Sequence, residues 1–240
     1  MSPVEQARGW VTAARSLAAL TGAGISAESG IPTFRGSGGL WKQFRAEQLA
    51  TPEAFWRDPK LVWEWYDWRR SLIAQAQPNP GHLALAELER RVPAFTLITQ
   101  NVDGLHDRAG SRRILKVHGD IWMVRCTNCG IESRDDRVPL PELPPCCACG
   151  GMLRPGVVWF GESLPGDVWA GAEQASRQAD VFLVVGTSAV VYPAAGLVME
   201  AKSAGAKVIE LNLEETPFSA YVDCSLRGRA GELLPQLLRG

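Results

Sequence analysis

The chain has 240 residues, a formal net charge of −1 and 46% hydrophobic residues. This length allows one large domain, or a domain with a small module, and the composition is that of a globular enzyme. The near-neutral charge excludes a general electrostatic attraction to nucleic acid or anionic membranes. No apolar run reaches the length of a membrane span, and residues 1–9 lack the features of a signal peptide, so we expect a cytoplasmic protein.

Short apolar runs alternate with helical patterns along the chain. The first run, Ser16–Thr21, predicts a buried strand that enters a tight turn at Gly22-Ala23-Gly24. Further strands and helices are predicted at His82–Arg91 (helix), Phe95–Thr99 (strand), Val181–Val185 (strand), Ala194–Ala204 (helix) and Val208–Leu211 (strand). Alternating strands and helices predict an α/β fold with a doubly wound parallel sheet, and such sheets bind ligands beyond the carboxyl ends of their strands.

Two segments interrupt this alternation. Residues 36–77 are rich in Trp and helical in pattern, and residues 121–154 carry most of the cysteines and a Pro-rich stretch. We predict that these two insertions together form a smaller lobe, a zinc-ribbon module with a helical insertion. The remaining segments, 1–35, 78–120 and 155–240, are predicted to form one discontinuous Rossmann-like domain.

Five of the six cysteines fall between Cys126 and Cys149, which favours a metal site over a disulfide framework. The spacing is Cys126-x-x-Cys129, sixteen residues, then Cys146-x-x-Cys149. Four thiolates complete a tetrahedron and leave no open position, so we predict one structural zinc held by these four residues. Free cysteines in a loop are the alternative. Cys147 is expected to point away from the metal, and Cys224 is expected to be an ordinary core residue.

The glycine-rich turn after the first strand is ambiguous by itself. Gly22 and Gly24 could let backbone N–H groups approach a pyrophosphate. However, the third glycine of the common dinucleotide fingerprint is replaced by Ala27, and no acidic residue ends a second strand about 20 residues later. This turn alone leaves a structural and a cofactor-binding role both open.

Seven motifs in a fixed order decide between these roles. The sequence resembles the sirtuins from about Ala19 to Leu234, and the motifs are Gly22–Arg35, Thr99–Asp103, Val117–Asp120, the paired CxxC, Val157–Glu162, Gly186–Ser188 and Asn212–Glu214. The resemblance implies an NAD-dependent enzyme that removes acyl groups from lysine side chains, transfers them to ADP-ribose and releases nicotinamide. The sequence departs from the family pattern at Gly156, a position that is often polar or His in relatives. This difference affects the expected substrate groove.

The resemblance also assigns residues to NAD, which the Rossmann-like domain would bind. The glycine turn would hold the phosphates, Asn101 and Asp103 would line the nicotinamide pocket, and Asn212 and Ala230 would approach the adenosine. The full set implied for the cofactor is Gly22, Ala23, Gly24, Ile25, Glu28, Thr33, Phe34, Arg35, Gln100, Asn101, Asp103, Gly186, Thr187, Ser188, Asn212, Leu213, Glu214 and Ala230.

The resemblance gives the catalytic roles to His118 and Asn101. A ribose hydroxyl must lose a proton during acyl transfer, and a histidine with an unperturbed pKa of about 6.5 suits that task near neutral pH. His82 and His106 match no catalytic position, and we expect them to be structural.

The acyl-lysine substrate is implied to occupy a tunnel lined by Val158 and Phe160, with Gly161 and Glu162 beside the peptide backbone. Tyr66 and Arg69 are three residues apart on a helical pattern and therefore share one face. The same Tyr-x-x-Arg pattern lies in this region in the desuccinylating branch of the sirtuins. A guanidinium could bind the far carboxylate of a malonyl, succinyl or glutaryl group. Without the family, Arg69 and Arg70 would be interpreted as a solvated helix end.

The leading hypothesis is therefore an NAD-dependent protein-lysine deacylase with a structural zinc, active on acidic acyl groups and also on acetyl. A plain deacetylase and an NAD-dependent ADP-ribosyltransferase are the enzymatic alternatives. A zinc-ribbon binding module joined to an NAD sensor is the non-enzymatic alternative, and it would not need His118, Asn101 and Asp103 together. The expected partners are acyl-lysine proteins or peptides, without direct nucleic-acid or membrane binding, and a monomer is favoured.

Overall fold

The structure is a computed structural model that describes residues 1–33 and 49–239. The helices are α1 (Pro3–Ala13), α2 (Ala23–Ala27), α3 (Pro52–Arg57), α4 (Pro59–Gln75), α5 (Pro80–Arg91), α6 (Leu105–Ala109), α7 (Gly166–Gln178), α8 (Gly196–Ser203) and α9 (Ala230–Leu237). The strands are β1 (Ser16–Thr21), β2 (Ala94–Thr99), β3 (Ile114–Lys116), β4 (Gly119–Cys126), β5 (Glu132–Arg134), β6 (Leu153–Val157), β7 (Val181–Val185), β8 (Lys207–Asn212) and β9 (Cys224–Arg227). Within these ranges no helix combines the length and apolar character that crossing a membrane requires.

The larger sheet has six parallel strands in the order β3-β2-β1-β7-β8-β9. Strand β1 lies at its centre, where Thr21 is level with Thr99 of β2 and with Val185 of β7. The chain builds the sheet outward in both directions from β1, which creates a crevice at the carboxyl ends of β1 and β7. The predicted doubly wound α/β fold is confirmed.

Hydrophobic cores cover both faces of this sheet because alternate residues of each strand point to opposite sides. Leu17 and Ala19 of β1 pack with residues of α1, α5 and α9, whereas Ala18 and Leu20 pack with residues of α7 and α8. A strand that is buried on both faces consists of consecutive apolar residues, and the central strands are therefore recognisable in the sequence.

The smaller lobe contains a three-stranded antiparallel sheet, β5-β4-β6, and the helices α3 and α4. Asp58 caps α4 by accepting a hydrogen bond from the N–H of Leu61, and Pro59 occupies the first helical position. The helix buries Trp63 and Tyr66 in a third core, and the Trp63 indole N–H donates to the Leu153 carbonyl at 2.8 Å. This bond joins the helical insertion to the cysteine-bearing segment.

Arg69 and Arg70 are both buried, with 9% and 0% of their surface exposed. The interpretation of this pair as a solvated helix end is therefore wrong. Arg70 donates to the Asp135 carbonyl, and its guanidinium lies 5.2 Å from the centre of the Trp122 ring. It is thus a second link between α4 and the segment that carries the cysteines.

Gly156 permits an unusually close approach of two strands. A Cβ built at this position would lie 2.6 Å from the Cβ of Met123, on a stretch where the β4–β6 register shifts between Gly119 and Val124. Strands this close leave no room for a side chain. Glycine at position 156, where relatives often have a polar residue or His, therefore fits the close packing of β4 against β6.

Candidate active site

Polar residues follow the carboxyl ends of five strands and meet at one edge of the larger sheet. Gly22 follows β1, Gln100 follows β2, His118 lies two residues beyond β3, Gly186 follows β7, and Asn212 ends β8. The order β3-β2-β1-β7-β8 arranges them as a continuous row across the crevice. This is the position at which an open α/β sheet binds its ligands.

The glycine turn packs directly against the turn after β7. The N–H of Gly22 donates to the Val185 carbonyl at 3.0 Å, and the N–H of Gly24 donates to the Gly186 carbonyl at 2.7 Å. A Cβ on Gly22 would lie 2.7 Å from the Cβ of Thr187, so the close approach itself requires glycine. These two donors therefore hold the turns together, and the assignment of Gly22, Ala23 and Gly24 to the NAD phosphates stays a prediction.

A buried polar cluster lies beside this turn. Asp103 is 5% exposed and accepts hydrogen bonds from the Ser26 hydroxyl at 2.8 Å and from the Leu105 N–H at 2.8 Å. Asn101 donates its side-chain amide to the Gly22 carbonyl at 3.0 Å and to the Ser26 hydroxyl at 3.3 Å. Burial raises the pKa of Asp103, opposed by its hydrogen bonds and by the charge of Arg69. Ser26 thus links the two predicted pocket residues, a role that the sequence did not assign to it.

His118 lies next to this cluster, and its Nδ1 atom is 3.1 Å from the Gln100 carbonyl oxygen. A carbonyl can only accept a hydrogen bond, so Nδ1 carries the ring proton and Nε2 is left as an acceptor. Burial lowers the pKa of His118, with the Gln100 carbonyl acting weakly in the opposite direction. The imidazole is therefore neutral near pH 7 and able to take up a proton.

The remaining residues assigned to the cofactor lie along the same edge. Gln100 donates its amide to the Thr187 hydroxyl at 3.0 Å, and Asn212 donates to the Thr187 carbonyl at 3.3 Å. Glu28 accepts from the Gly231 N–H at 2.9 Å and so ties α2 to the start of α9, next to the buried Ala230. Ile25 lies in α2 and is buried in the core of the larger sheet. The other positions in the described chain are Thr33 after α2, Ser188 after β7, and Leu213 and Glu214 after β8; Phe34 and Arg35 lie outside the described residues.

A cavity beside the buried polar cluster combines polar and apolar walls. Arg69 enters it from α4, and its guanidinium lies 4.9 Å from the Trp65 ring centre and 5.6 Å from that of Tyr66. Burial lowers the pKa of Arg69, and Tyr66 and Asp103 oppose this shift. The cavity is lined by Ala23, Ser26, Ile31, Pro32, Trp68, Arg69, Leu72, Ile73, Asn101, Val102 and Asp103.

Tyr66 is buried behind Arg69, and its hydroxyl accepts a hydrogen bond from the Trp159 indole N–H at 3.0 Å. Neither Tyr66, Val158 nor Phe160 belongs to the described lining of the cavity. The Val158 N–H donates to the His118 carbonyl at 2.9 Å, which places Val158 directly beside the histidine. Phe160 is 45% exposed.

Gly161 and Glu162 form the turn that follows this segment. Gly161 has a φ of 87°, a conformation that favours glycine. The Glu162 carboxylate is held by a two-pronged ion pair with Arg154 and by the Trp159 N–H at 2.8 Å. These partners occupy the carboxylate, and the Glu162 N–H donates to the Trp159 carbonyl at 3.0 Å, so the turn is internally bonded.

The cysteine cluster differs from the predicted set in one residue. The sulfur atoms of Cys126, Cys129, Cys147 and Cys149 lie within 4.8 Å of one another. The Cys146 thiol instead lies 3.9 Å from the Pro144 carbonyl, and Cys146 forms a β-bridge with Met152. That bridge fixes the direction of Cys146 and turns the next residue, Cys147, toward the cluster. The structure thus groups Cys147 with the other three sulfurs and also packs it against the core of the smaller lobe, whereas the spacing favours Cys146, so the fourth zinc ligand stays a prediction.

The four clustered sulfurs fit a structural zinc. The N–H groups of Asn128 and Cys129 both point at the Cys126 sulfur, at 3.4 Å each, and these bonds lower the pKa of the Cys126 thiol. Four cysteine ligands complete a tetrahedron and so match a closed, structural zinc site. Cys224, the sixth cysteine, is buried in the core of the larger sheet, as expected.

The central sheet is parallel and has a ligand crevice at its switch point. Together with a neutral histidine and a four-sulfur module, this arrangement is that of a zinc-stabilised enzyme that binds a nucleotide. Residues 22–193 match the Sir2 family, so the chain belongs to that family. An Aquifex aeolicus protein called NAD-dependent protein deacylase is 62% identical over 90% of each chain. Two solved Sir2 homologues have the same fold. A mutant in complex with ADP-ribose is 50% identical with a TM-score of 0.95, and the match covers 100% of this chain and 96% of that chain. A complex with NAD is 52% identical with a TM-score of 0.92, and the match covers 98% of this chain and 92% of that chain.

Proposed function

We propose that this Sir2-family enzyme is an NAD-dependent protein-lysine deacylase that prefers malonyl, succinyl or glutaryl groups over acetyl. NAD-dependent deacylation follows from the family and from relatives that carry this activity in their names. The acyl preference rests on one structural observation, the buried guanidinium of Arg69 in the cavity beside Asn101 and Asp103.

The residues around the crevice suit NAD as a co-substrate, which supplies ADP-ribose as the acyl acceptor and nicotinamide as the leaving group. Asn101 and Asp103 offer an amide and a carboxylate to a carboxamide in a partly apolar pocket. Asn101 is held by the Gly22 carbonyl and the Ser26 hydroxyl, so its orientation is fixed before a ligand arrives.

His118 acts as the general base in this proposal. Its Nε2 atom takes the proton of a ribose hydroxyl, while Nδ1 stays bonded to the Gln100 carbonyl. Val158, which we expect to line the acyl-lysine tunnel, donates its N–H to the His118 carbonyl at 2.9 Å, and this contact supports the proposal.

The surroundings of Arg69 stabilise its charge in a buried position. Two aromatic rings, Trp65 and Tyr66, make cation–π contacts with the guanidinium. The Tyr66 hydroxyl accepts a hydrogen bond from the Trp159 indole, which fixes the position of the Tyr66 ring beside the guanidinium. A carboxylate entering this corner would gain charge-assisted hydrogen bonds that an acetyl group cannot form.

The deciding experiment is a kinetic panel with NAD and one peptide sequence carrying acetyl-, malonyl-, succinyl- or glutaryl-lysine. We expect a higher kcat/KM for at least one acidic acyl group than for acetyl. A preference for acetyl throughout the panel would identify a plain deacetylase. Nicotinamide release that does not depend on an acyl peptide would point to ADP-ribosyl transfer instead.

A further inference from the structure

Glu210 is a buried carboxylate in β8, two residues before Asn212, which ends this strand at the active-site edge. The chemistry described above does not use it. It is 1% exposed. Its oxygens accept hydrogen bonds from the hydroxyls of Thr216, Ser219 and Ser225 and from the guanidinium of Arg227. Burial alone would raise the pKa of Glu210, but these four donors hold it below its usual value. A charge buried with this many partners fixes the groups around it.

Arg227 carries the effect of Glu210 toward the crevice. Its Nη1 atom is 2.9 Å from Glu210 and 3.1 Å from the Glu214 carbonyl, so one atom joins the buried carboxylate to the loop after β8. Its Nη2 atom donates to the Ser219 hydroxyl at 2.9 Å, which anchors the far part of the same loop. This loop carries Leu213 and Glu214, two of the residues assigned to NAD.

The backbone on either side of Arg227 connects the same loop to the start of α9. Arg227 is level with Asn212 in the β8–β9 ladder, and the N–H of the next residue, Gly228, donates to the Asn212 carbonyl at 3.1 Å. Asn212 in turn donates to the Glu214 and Thr187 carbonyls, at 3.2 and 3.3 Å. The chain then reaches Ala230 at the start of α9. The Glu210–Arg227 pair, together with the β8–β9 ladder, therefore holds the segments between which the adenosine half of NAD is expected to lie.

We propose that Glu210 and Arg227 are positioning residues for the adenosine half of NAD, setting NAD affinity by holding the 212–214 loop against the start of α9. This inference rests on the placement of adenosine at Asn212 and Ala230, which belongs to the proposed function. The pair touches neither the nicotinamide pocket nor the acyl cavity within the described chain. It acts on NAD binding and not on acyl transfer.

The test measures ADP-ribose binding by calorimetry, together with the KM for NAD, the KM for the acyl peptide and kcat. Glu210→Gln keeps the shape and removes the charge, and Arg227→Met removes the other partner. We expect each to weaken ADP-ribose binding by about tenfold, to raise the KM for NAD similarly, and to leave kcat at saturating NAD and the KM for peptide near wild type. The double variant should be no worse than either single variant, because the two residues act as one unit.

Asp223 provides a matched control at the opposite end of β8. Its carboxylate accepts from Lys202 at 2.7 Å and from the Val208 N–H at 3.0 Å, far from the carboxyl end of the strand. Asp223→Asn should lower Tm without changing ADP-ribose affinity. If Glu210→Gln behaves in the same way, its role is only structural and the inference is overturned.

Asn212→Ala separates this inference from the proposed function. If it weakens ADP-ribose binding whereas Glu210→Gln does not, adenosine lies where we place it and the positioning role alone is wrong. If neither variant changes the affinity by more than about twofold, the placement of adenosine itself is wrong, and the inference is overturned with it.

Discussion

The Nδ1 atom of His118 lies 3.1 Å from the backbone carbonyl oxygen of Gln100, and this contact fixes the ring tautomer. We therefore expect His118→Ala to lower kcat for deacylation by about 10²–10⁴-fold, the usual contribution of general acid–base catalysis. ADP-ribose affinity, measured by calorimetry, should stay near wild type. Turnover within a fewfold of the unmodified enzyme would remove His118 from the mechanism.

The pH dependence of the reaction follows from the same histidine. Burial is the main influence on the pKa of His118 and lowers it from 6.5. The neutral ring is the active base, so activity is lost as pH falls through this lowered pKa. We expect the acidic limb of the kcat/KM profile below pH 6.5. An acidic limb clearly above that value would show that another group controls the rate.

His82 and His106 form a second, buried pair with ring centres 4.8 Å apart. Burial lowers the pKa of His82 from 6.5 to about 4, and it lowers that of His106 as well. Between those pH values the unfolded chain binds a proton that the folded His82 does not. Stability is therefore complete above pH 6.5 and falls as pH drops toward 4.

Urea unfolding at several pH values measures this loss. One histidine contributes about 1.4 kcal/mol per pH unit, so His82 accounts for up to about 3 kcal/mol across its window. His82→Gln should flatten the dependence of unfolding free energy on pH. The remaining slope belongs to His106 and the carboxylates. Identical slopes in the two proteins would show that His82 is protonated in the folded state.

The central strands could be located from sequence because they are apolar on both faces. Ser16–Thr21 and Val181–Val185 were predicted with the bounds that the structure shows. The edge strand Cys224–Arg227 was not predicted, since it has only four residues and lacks a continuous apolar run. The row of polar residues at the strand ends was also predictable, because parallel strands end at one edge.

Contacts between distant segments could not be predicted. The burial of Arg70 depends on Asp135 and Trp122, which lie 65 and 52 positions further along the chain. Likewise, the choice between Cys146 and Cys147 depends on the β-bridge of Cys146 with Met152. Spacing favours Cys146, whereas the backbone direction set by that bridge favours Cys147.

This choice gives a direct prediction for zinc content. Cys147→Ser should lose zinc and melt at a lower temperature, whereas Cys146→Ser should keep one zinc per chain. Zinc binding supplies about 10–16 kcal/mol in peptide models, so losing a ligand has a large effect on the smaller lobe. Elemental analysis of protein purified without chelator decides the matter. The reverse result, loss of zinc in Cys146→Ser alone, would restore the spacing-based assignment.

Arg69→Met tests the acyl preference. The substitution removes the guanidinium and keeps the cavity filled, so the variant should lose activity on succinyl-lysine and keep or improve activity on acetyl-lysine. Hydrogen bonds to charged groups are worth about 1.5–3 kcal/mol each. Losing one or two of them lowers kcat/KM on the succinyl peptide by about ten- to a thousandfold. Tyr66→Phe should act in the same direction much more weakly, because Tyr66 lies outside the cavity lining and its hydroxyl is bonded to Trp159.

The two activities must be compared on one peptide sequence, so that recognition of the peptide backbone cancels from the ratio. Arg69 also lies beside Asp103, and each influences the pKa of the other. A cofactor role through Asp103 would therefore lower both activities by the same factor and raise the KM for NAD with either substrate. A selective loss of the succinyl activity, with the KM for NAD unchanged, is the result that only a carboxylate-binding role produces.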